Sequence, residues 1–198
     1  MNILILEDAE VGARIPRSDR RWQHVRKILK KKPGDRLAAG LSCGAHDAAP
    51  GRLGEAILKE LDDAGMVLGF EAFEGPAGVP PELAPLRVLL GFPRPIQAGR
   101  ILKDLASLGA SEILLAGTEL GEKSYLQSSF FKDKEYGRSL IEGAEQAGNP
   151  RLPEVRTYWT LARCLADLGE SDGPLLYLHP YGGAPRLGAA ERLEAPVT

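Results

Sequence analysis

The sequence predicts an α/β protein in two parts, a small β domain followed by a parallel sheet flanked by helices. Three observations carry this. Short apolar segments broken by Gly, Asp and Pro fill the region before residue 74. A proline-rich stretch, "EGPAGVPPELAP", then interrupts the pattern. Beyond it, strand-like and helix-like periodicities alternate, the order that gives a parallel sheet. We therefore divide the chain into a β domain over 1–74, a linker over 75–85 and an α/β domain over 86–198.

Taken in order, Met1 to Leu6 is a β-branched and leucine run that reads as a strand. Trp22, Val25, Ile28 and Leu29 recur at helical spacing until Pro33-Gly34 stops them. "DRLAAGL", "GRLGEAILKEL" and "GMVLGFEAF" follow as strands. After the linker come the strand "LRVLLGF", a helix carrying Ile101, Leu102, Leu105 and Leu108 that stops at Gly109, and the strand "SEILLAG". A helix over "KDKEYGRSLIEGAEQAG", the segment "LPEVRTY", the helix "LARCLADLG" and a strand from Pro174 to Pro180 complete the series. Ligands of such sheets bind at the carboxyl ends of the strands.

The 198 residues, 43% hydrophobic, can bury a substantial core. No window reaches the length of apolar chain that a membrane span requires, and the start "MNILILEDAE" lacks signal-peptide features, so a cytoplasmic protein is expected. Cys43 and Cys164 stand far apart without metal-ligand spacing, which predicts two buried thiols and no metal site. The net charge of -2 conceals an asymmetry. Between Arg14 and Arg36 stand ten basic residues (Arg14, Arg17, Arg20, Arg21, Arg26, Lys27, Lys30, Lys31, Lys32, Arg36) against Asp19 and Asp35. A basic stretch on an otherwise acidic chain predicts a polyanion site. The lack of interleaved Glu on the helix argues against a merely solvated face. Arg14, Arg17, Arg20, Arg21, His24, Arg26, Lys27, Lys30 and Lys31 are the candidate phosphate contacts.

"ILLAGTELGEKSYLQS" superficially resembles a phosphate loop, but only three residues separate Gly117 from Gly121, and Glu122 precedes Lys123 and Ser124. We read it as a strand-end loop lining a cleft, with Glu119, Lys123 and Ser124 as candidate polar contacts. Arg94 is counted with them, as are Glu145 and Gln146 at a helix end and Arg151 between two prolines. His179 stands at the expected end of a core strand, without the partners of a hydrolytic triad.

"HVRKILKKKPGDRL" resembles the His-x-x-x-Val-Leu-Arg, then Pro-Gly, segment of the RsmE family, bacterial 16S ribosomal RNA (uracil-N3)-methyltransferases. "GAEQAGNPRLPEV" is similar to that family's Glu-Gln helix end and following Arg-x-Pro-Glu. The resemblance covers nearly the whole chain. It implies an N-terminal PUA-like small β-barrel that holds 16S ribosomal RNA or the small ribosomal subunit, which makes the candidate phosphate contacts RNA-binding residues, and a SPOUT-type methyltransferase domain with a knotted carboxyl-terminal part. It further implies a homodimer, and S-adenosyl-L-methionine as cofactor at loops that include Leu178, His179 and Pro180. Ser107 stands where the family usually carries Glu, Asn149 where it carries Arg, and Lys27 and Lys30 where it carries arginine. The family's Gly-Pro-Glu-Gly-Gly loop has no counterpart in the sequence, so the knot is expected to be incomplete and the catalytic groups to lie beyond Thr198. Two other readings stay open: a non-catalytic RNA-binding relative, and a small-molecule α/β enzyme using the "GTELGEKS" loop.

Overall fold

The computed structural model describes residues 2–42, 51–168 and 176–178. In the first part, β1 (Leu4–Leu6), β2 (Arg14–Pro16), β3 (Arg36–Leu41), β4 (Arg52–Leu61) and β5 (Gly65–Ala72) form one sheet in the order β1-β3-β4-β5-β2. β1 runs parallel to β3 and the other pairs are antiparallel, giving a curled, barrel-like sheet. Side-chain alternation along β4 sends Ala56 and Leu58 inward, where Met66, Leu68, Leu37 and Ile15 meet them. Helix α1 (Arg20–Gln23) and the turn after it plug this core with Trp22 and Val25, 3% and 0% exposed.

The helical face read from sequence is only half realised. After α1 the chain makes a π-helical turn, His24–Ile28, closed by Leu29 N–H to His24 O at 2.9 Å. One extra residue in a turn rotates the next side chains by about 100° relative to an α-helix. Ile28 and Leu29 therefore swing off the core and stand 68% and 42% exposed.

The second sheet is β6 (Ala84–Gly91), β7 (Ala110–Ala116) and β8 (Glu154–Tyr158), all parallel and in that order. Helices α2 (Pro95–Ser107) and α4 (Gly137–Ala147) cover one face, burying Leu102, Ala106 and Leu140 against Ile113 and Leu115. The two helices touch closely at Gly143, where an added Cβ would collide with the Lys103 carbonyl oxygen. Helix α5 (Leu161–Leu168) packs Cys164 on the other face against Leu114 and Ala116. Cys164 is the buried thiol expected, and Cys43 lies outside the described residues.

Two expected elements differ. The helix drawn over "KDKEYGRSLIEGAEQAG" begins only at Gly137, because Lys134 adopts a left-handed φ of 56° just after the short helix α3 (Ser129–Lys132) and its cap. Of the strand expected over Pro174 to Pro180, Leu176, Tyr177 and Leu178 are not in strand conformation and are exposed, and the rest lies outside the described residues.

Candidate functional site

The basic stretch divides in space. Arg14 hydrogen-bonds both carboxylate oxygens of Asp62 at 2.9 Å and also reaches Glu60. Arg26 pairs with Asp63 at 2.8 Å and lies 4.9 Å from the Trp22 ring centroid, whose neighbourhood Arg17 shares. Arg36 sits between Glu55 and Glu71. Arg21, largely buried, donates to Glu10, Asp19 and the Ile5 carbonyl. Burial opposes its charge, but the two carboxylates outweigh burial and raise its pKa. In turn Arg21 outweighs the burial of Glu10 and Asp19 and holds both carboxyls below the ordinary range. Glutamates are indeed absent from the helix itself, yet the partners come from elsewhere in the chain. Arg14, Arg20, Arg21 and Arg26 thus form ion pairs within the protein, and the free cationic face expected of them is not what the fold builds.

What remains besides the exposed Arg17 is a tip. Lys27, Lys30 and Lys32 are exposed and make no ion pair among the described residues, and Lys31 Nζ donates only to the Arg36 carbonyl at 3.2 Å. The tip is built by the π-turn, by Lys31 N–H to Val25 O at 3.1 Å, and by Lys30 in a left-handed conformation, φ 53°. His24, at its base, has its pKa lowered by burial and by neighbouring positive charge that includes Arg20, which favours neutral imidazole at pH 7.

Glu145 and Arg151 are engaged within the fold, while Gln146 is exposed at the end of α4. Glu145 is 1% exposed at the end of α4, where its carbonyl accepts from Asn2 and Ile3 and its carboxylate accepts from Ile5 N–H at 3.4 Å. Arg20 Nη2 stands 2.5 Å from Glu145 Oε2, off the line of a full hydrogen bond, with Glu142 3.5 Å from the same guanidinium. Burial raises the Glu145 pKa and Arg20 only partly offsets that. Asn2 donates to the Gln146 carbonyl, and Arg151 pairs with Glu82 at 2.8 Å. Pro150 lies so close to Gly40 that a Cβ there would be 2.8 Å away. These residues seat the barrel on the end of α4. Asn149 belongs to the same seam, donating to the Pro81 carbonyl. Ser107 donates to the Gly143 carbonyl and so ties α2 to α4.

The carboxyl edge of the parallel sheet is where the remaining candidates meet. Gly117 N–H donates to Tyr158 O and Leu161 N–H donates to Gly117 O, joining the ends of β7 and β8. A Cβ on Gly117 would collide with the Trp159 carbonyl, so this approach requires glycine. Glu119 and Ser124 are exposed here, and the Ser124 N–H is capped by Glu122 at 3.3 Å. Lys123 opens a 3-10 turn, Lys123–Gln127. Arg94, just before α2, donates from Nε to the Tyr125 hydroxyl at 3.2 Å, tying the first strand-end loop to the second. Leu178 is exposed, while His179 and Pro180 lie outside the described residues.

Sequence reasoning missed Tyr125 and also Glu112, a buried carboxylate on β7 between Arg87 of β6 and Arg156 of β8. A lone Glu inside the apolar run "SEILLAG" was the available signal, but its partners depend on strand register.

Residues 80–193 match the family model for the RNA methyltransferase domain. The chain is 38% identical over 199 residues to the ribosomal RNA small subunit methyltransferase E of Treponema pallidum, covering 96% of this chain and 70% of that protein. The chain belongs to the ribosomal RNA small subunit methyltransferase E family. A second member, from Borreliella burgdorferi, is 35% identical over 83% of this chain and 65% of its own length. The chain therefore spans about two thirds of the length of these relatives. Among solved structures, a putative methyltransferase from Legionella pneumophila, in complex with S-adenosylmethionine, has a TM-score of 0.56 at 19% identity over 91% of this chain and 72% of that one. A probable rRNA-methyltransferase from Porphyromonas gingivalis gives 0.54 at 16% identity over 82% of this chain and 62% of that one. This member of the family thus has the fold of these proteins, a barrel-like sheet followed by a parallel α/β sheet.

Proposed function

We propose that this chain takes part in S-adenosyl-L-methionine-dependent methylation of N3 of a uridine in 16S ribosomal RNA. The observation that carries the reading is the 38% identity to ribosomal RNA small subunit methyltransferase E over 96% of the chain. The RNA is held at the barrel by the lysine tip, and the cofactor at the carboxyl edge of the parallel sheet. The chemistry of that edge suits a nucleoside-bearing cofactor: Leu120 and Trp159 stand exposed beside it, and glycines at 91, 117 and 121 let the strand-end loops pack closely against Thr118 and the Trp159 carbonyl. When bound, the cofactor supplies an electrophilic methyl group on a sulfonium.

This chain's residues act around that group. Uracil N3 attacks only after losing its proton, so negative charge grows on the base as the reaction proceeds. Arg94, held by Tyr125 at the same edge, offers a cation toward that charge. The seam formed by Arg20 and Glu145 fixes the barrel relative to the edge, so RNA bound at one is presented to the other. A homodimer and a cytoplasmic location complete the reading. The exposed apolar residues Trp159, Leu161 and Leu165 support the first. No helix among the described residues is long and apolar enough to cross a membrane.

The test is to incubate the gene product with methyl-labelled S-adenosylmethionine and unmodified 16S ribosomal RNA, then digest to nucleosides and identify them by mass. Labelled 3-methyluridine is the expected product. RNA binding without any labelled nucleoside would favour a non-catalytic RNA-binding relative.

A further inference from the structure

The lysine tip carries two side chains that charge alone does not explain. Ile28 and Leu29, 68% and 42% exposed, sit between Lys27 and Lys30. Their exposure is built in. Below them Val25 and Trp22 are fixed in the barrel core. The π-turn bond from Leu29 N–H, the bond from Lys31 N–H to Val25 O, and Gly34 N–H to Leu58 O at 2.7 Å hold the backbone on either side. Lys32 N–H to Asp35 Oδ2 at 2.9 Å closes the far end. A regular α-turn would have returned both side chains to the core, so the π-turn and the left-handed Lys30 present them outward.

An apolar pair flanked by lysines that have no carboxylate partner among the described residues suits a ligand that is anionic outside and apolar within. Nucleic acid is such a partner: its phosphates meet cations, and the space between adjacent bases accepts aliphatic wedges. Charge complementarity also disfavours the same tip of a second copy, which would bring Lys27, Lys30 and Lys32 against their equivalents.

We propose that Ile28 and Leu29 form a wedge that enters the base stack of the bound RNA and opens it, with the flanking lysines gripping the phosphates on either side. The proposal rests on RNA being the partner, and it supplies a step that reading requires. A uridine within structured RNA must leave its stack before N3 can reach a methyl donor, and a fixed wedge lowers the cost of that departure.

The test uses a short RNA hairpin carrying 2-aminopurine, whose fluorescence rises on unstacking, with the 198-residue chain and a variant combining Ile28→Ser and Leu29→Ser. The unsubstituted chain should raise the fluorescence on binding. The variant should keep its unfolding midpoint and its salt dependence, bind about fivefold more weakly, the low end of what a side chain stacked on a base contributes, and give little of the rise. A fluorescence rise equal in both proteins, or absent in both while binding persists, overturns the wedge and leaves the RNA reading standing. Failure of the unsubstituted chain to bind the hairpin overturns both. If the unsubstituted chain sediments as a dimer and the variant as a monomer, the tip is a contact between copies and the wedge is overturned.

Discussion

Between residues 14 and 36 most arginines turn toward carboxylates of the same chain, whereas Lys27, Lys30 and Lys32 have none among the described residues. The division follows the chemistry of the two cations. A guanidinium presents a planar fork that meets one or two carboxylates at once, as Arg21 does between Glu10 and Asp19. An ammonium is a compact, strongly hydrated charge that loses more by being fixed, and it serves well where a mobile phosphate backbone must be met. A stretch that looks uniform in charge therefore contains a structural set and a set left without carboxylate partners among the described residues. The structural set is itself graded. The pairs of Arg14, Arg26 and Arg36 are substantially exposed, and such pairs contribute little to stability. Those of Arg20 and Arg21 are largely buried.

The structural set should give way most at the seam. Arg20→Ala leaves the Glu145 carboxylate buried without its cation, and about 3 kcal/mol of stability should be lost, read from urea unfolding. A loss no larger than that of a surface substitution would show that the seam is not held by this pair.

Next in size is the pH response of the Arg21 cluster. Glu10 and Asp19 have depressed pKa values, so their stabilisation is present above the unfolded carboxyl range and is lost as pH falls through their folded values. Glu145, with a raised pKa, acts with the opposite sign: its contribution is present below the unfolded value and is lost as pH rises through the folded one. Stability should therefore drop as pH is lowered below about 4, and Arg21→Ala should flatten that drop. Unfolding curves for the two proteins that stay parallel from about pH 3 to about pH 7 would show the carboxylates do not depend on Arg21.

A smaller effect is expected at the carboxyl edge. Tyr125→Phe removes the hydroxyl that Arg94 meets at 3.2 Å, a partly exposed hydrogen bond worth about 0.5–1 kcal/mol. Methyl transfer should slow by about threefold while RNA affinity is unchanged. An unaltered rate would remove Arg94 from the reaction.

Much of the architecture was legible because periodicity is a local signal. The alternation in "GRLGEAILKEL" became β4, and the glycine stops at 109 and 148 became left-handed helix ends. The basic segment was legible as charge, but its ion pairing within the fold was not. Asp62, Asp63, Glu55 and Glu145 lie far from it in sequence, and only the packing of the folded chain brings them to the arginines. Glu145 read as a cleft residue because a helix end next to a proline-bracketed arginine looks like a ligand loop. The contact of Asn2 and Ile3 with that helix end, spanning most of the chain, has no sequence signature. The exposure of Ile28 and Leu29 was equally hidden, since one π-turn reverses what an α-helical pattern implies.

That the lysines and not the arginines meet RNA is tested most directly by the salt dependence of RNA affinity. The unsubstituted chain would be compared with a Lys27→Ala, Lys30→Ala, Lys32→Ala variant and with an Arg14→Ala, Arg36→Ala variant. In the lysine variant the slope of log affinity against log salt should fall by about 0.7 for each phosphate no longer neutralised, and in the arginine variant it should stay unchanged. A slope that falls in the arginine variant and holds in the lysine variant would contradict this division of the two cations.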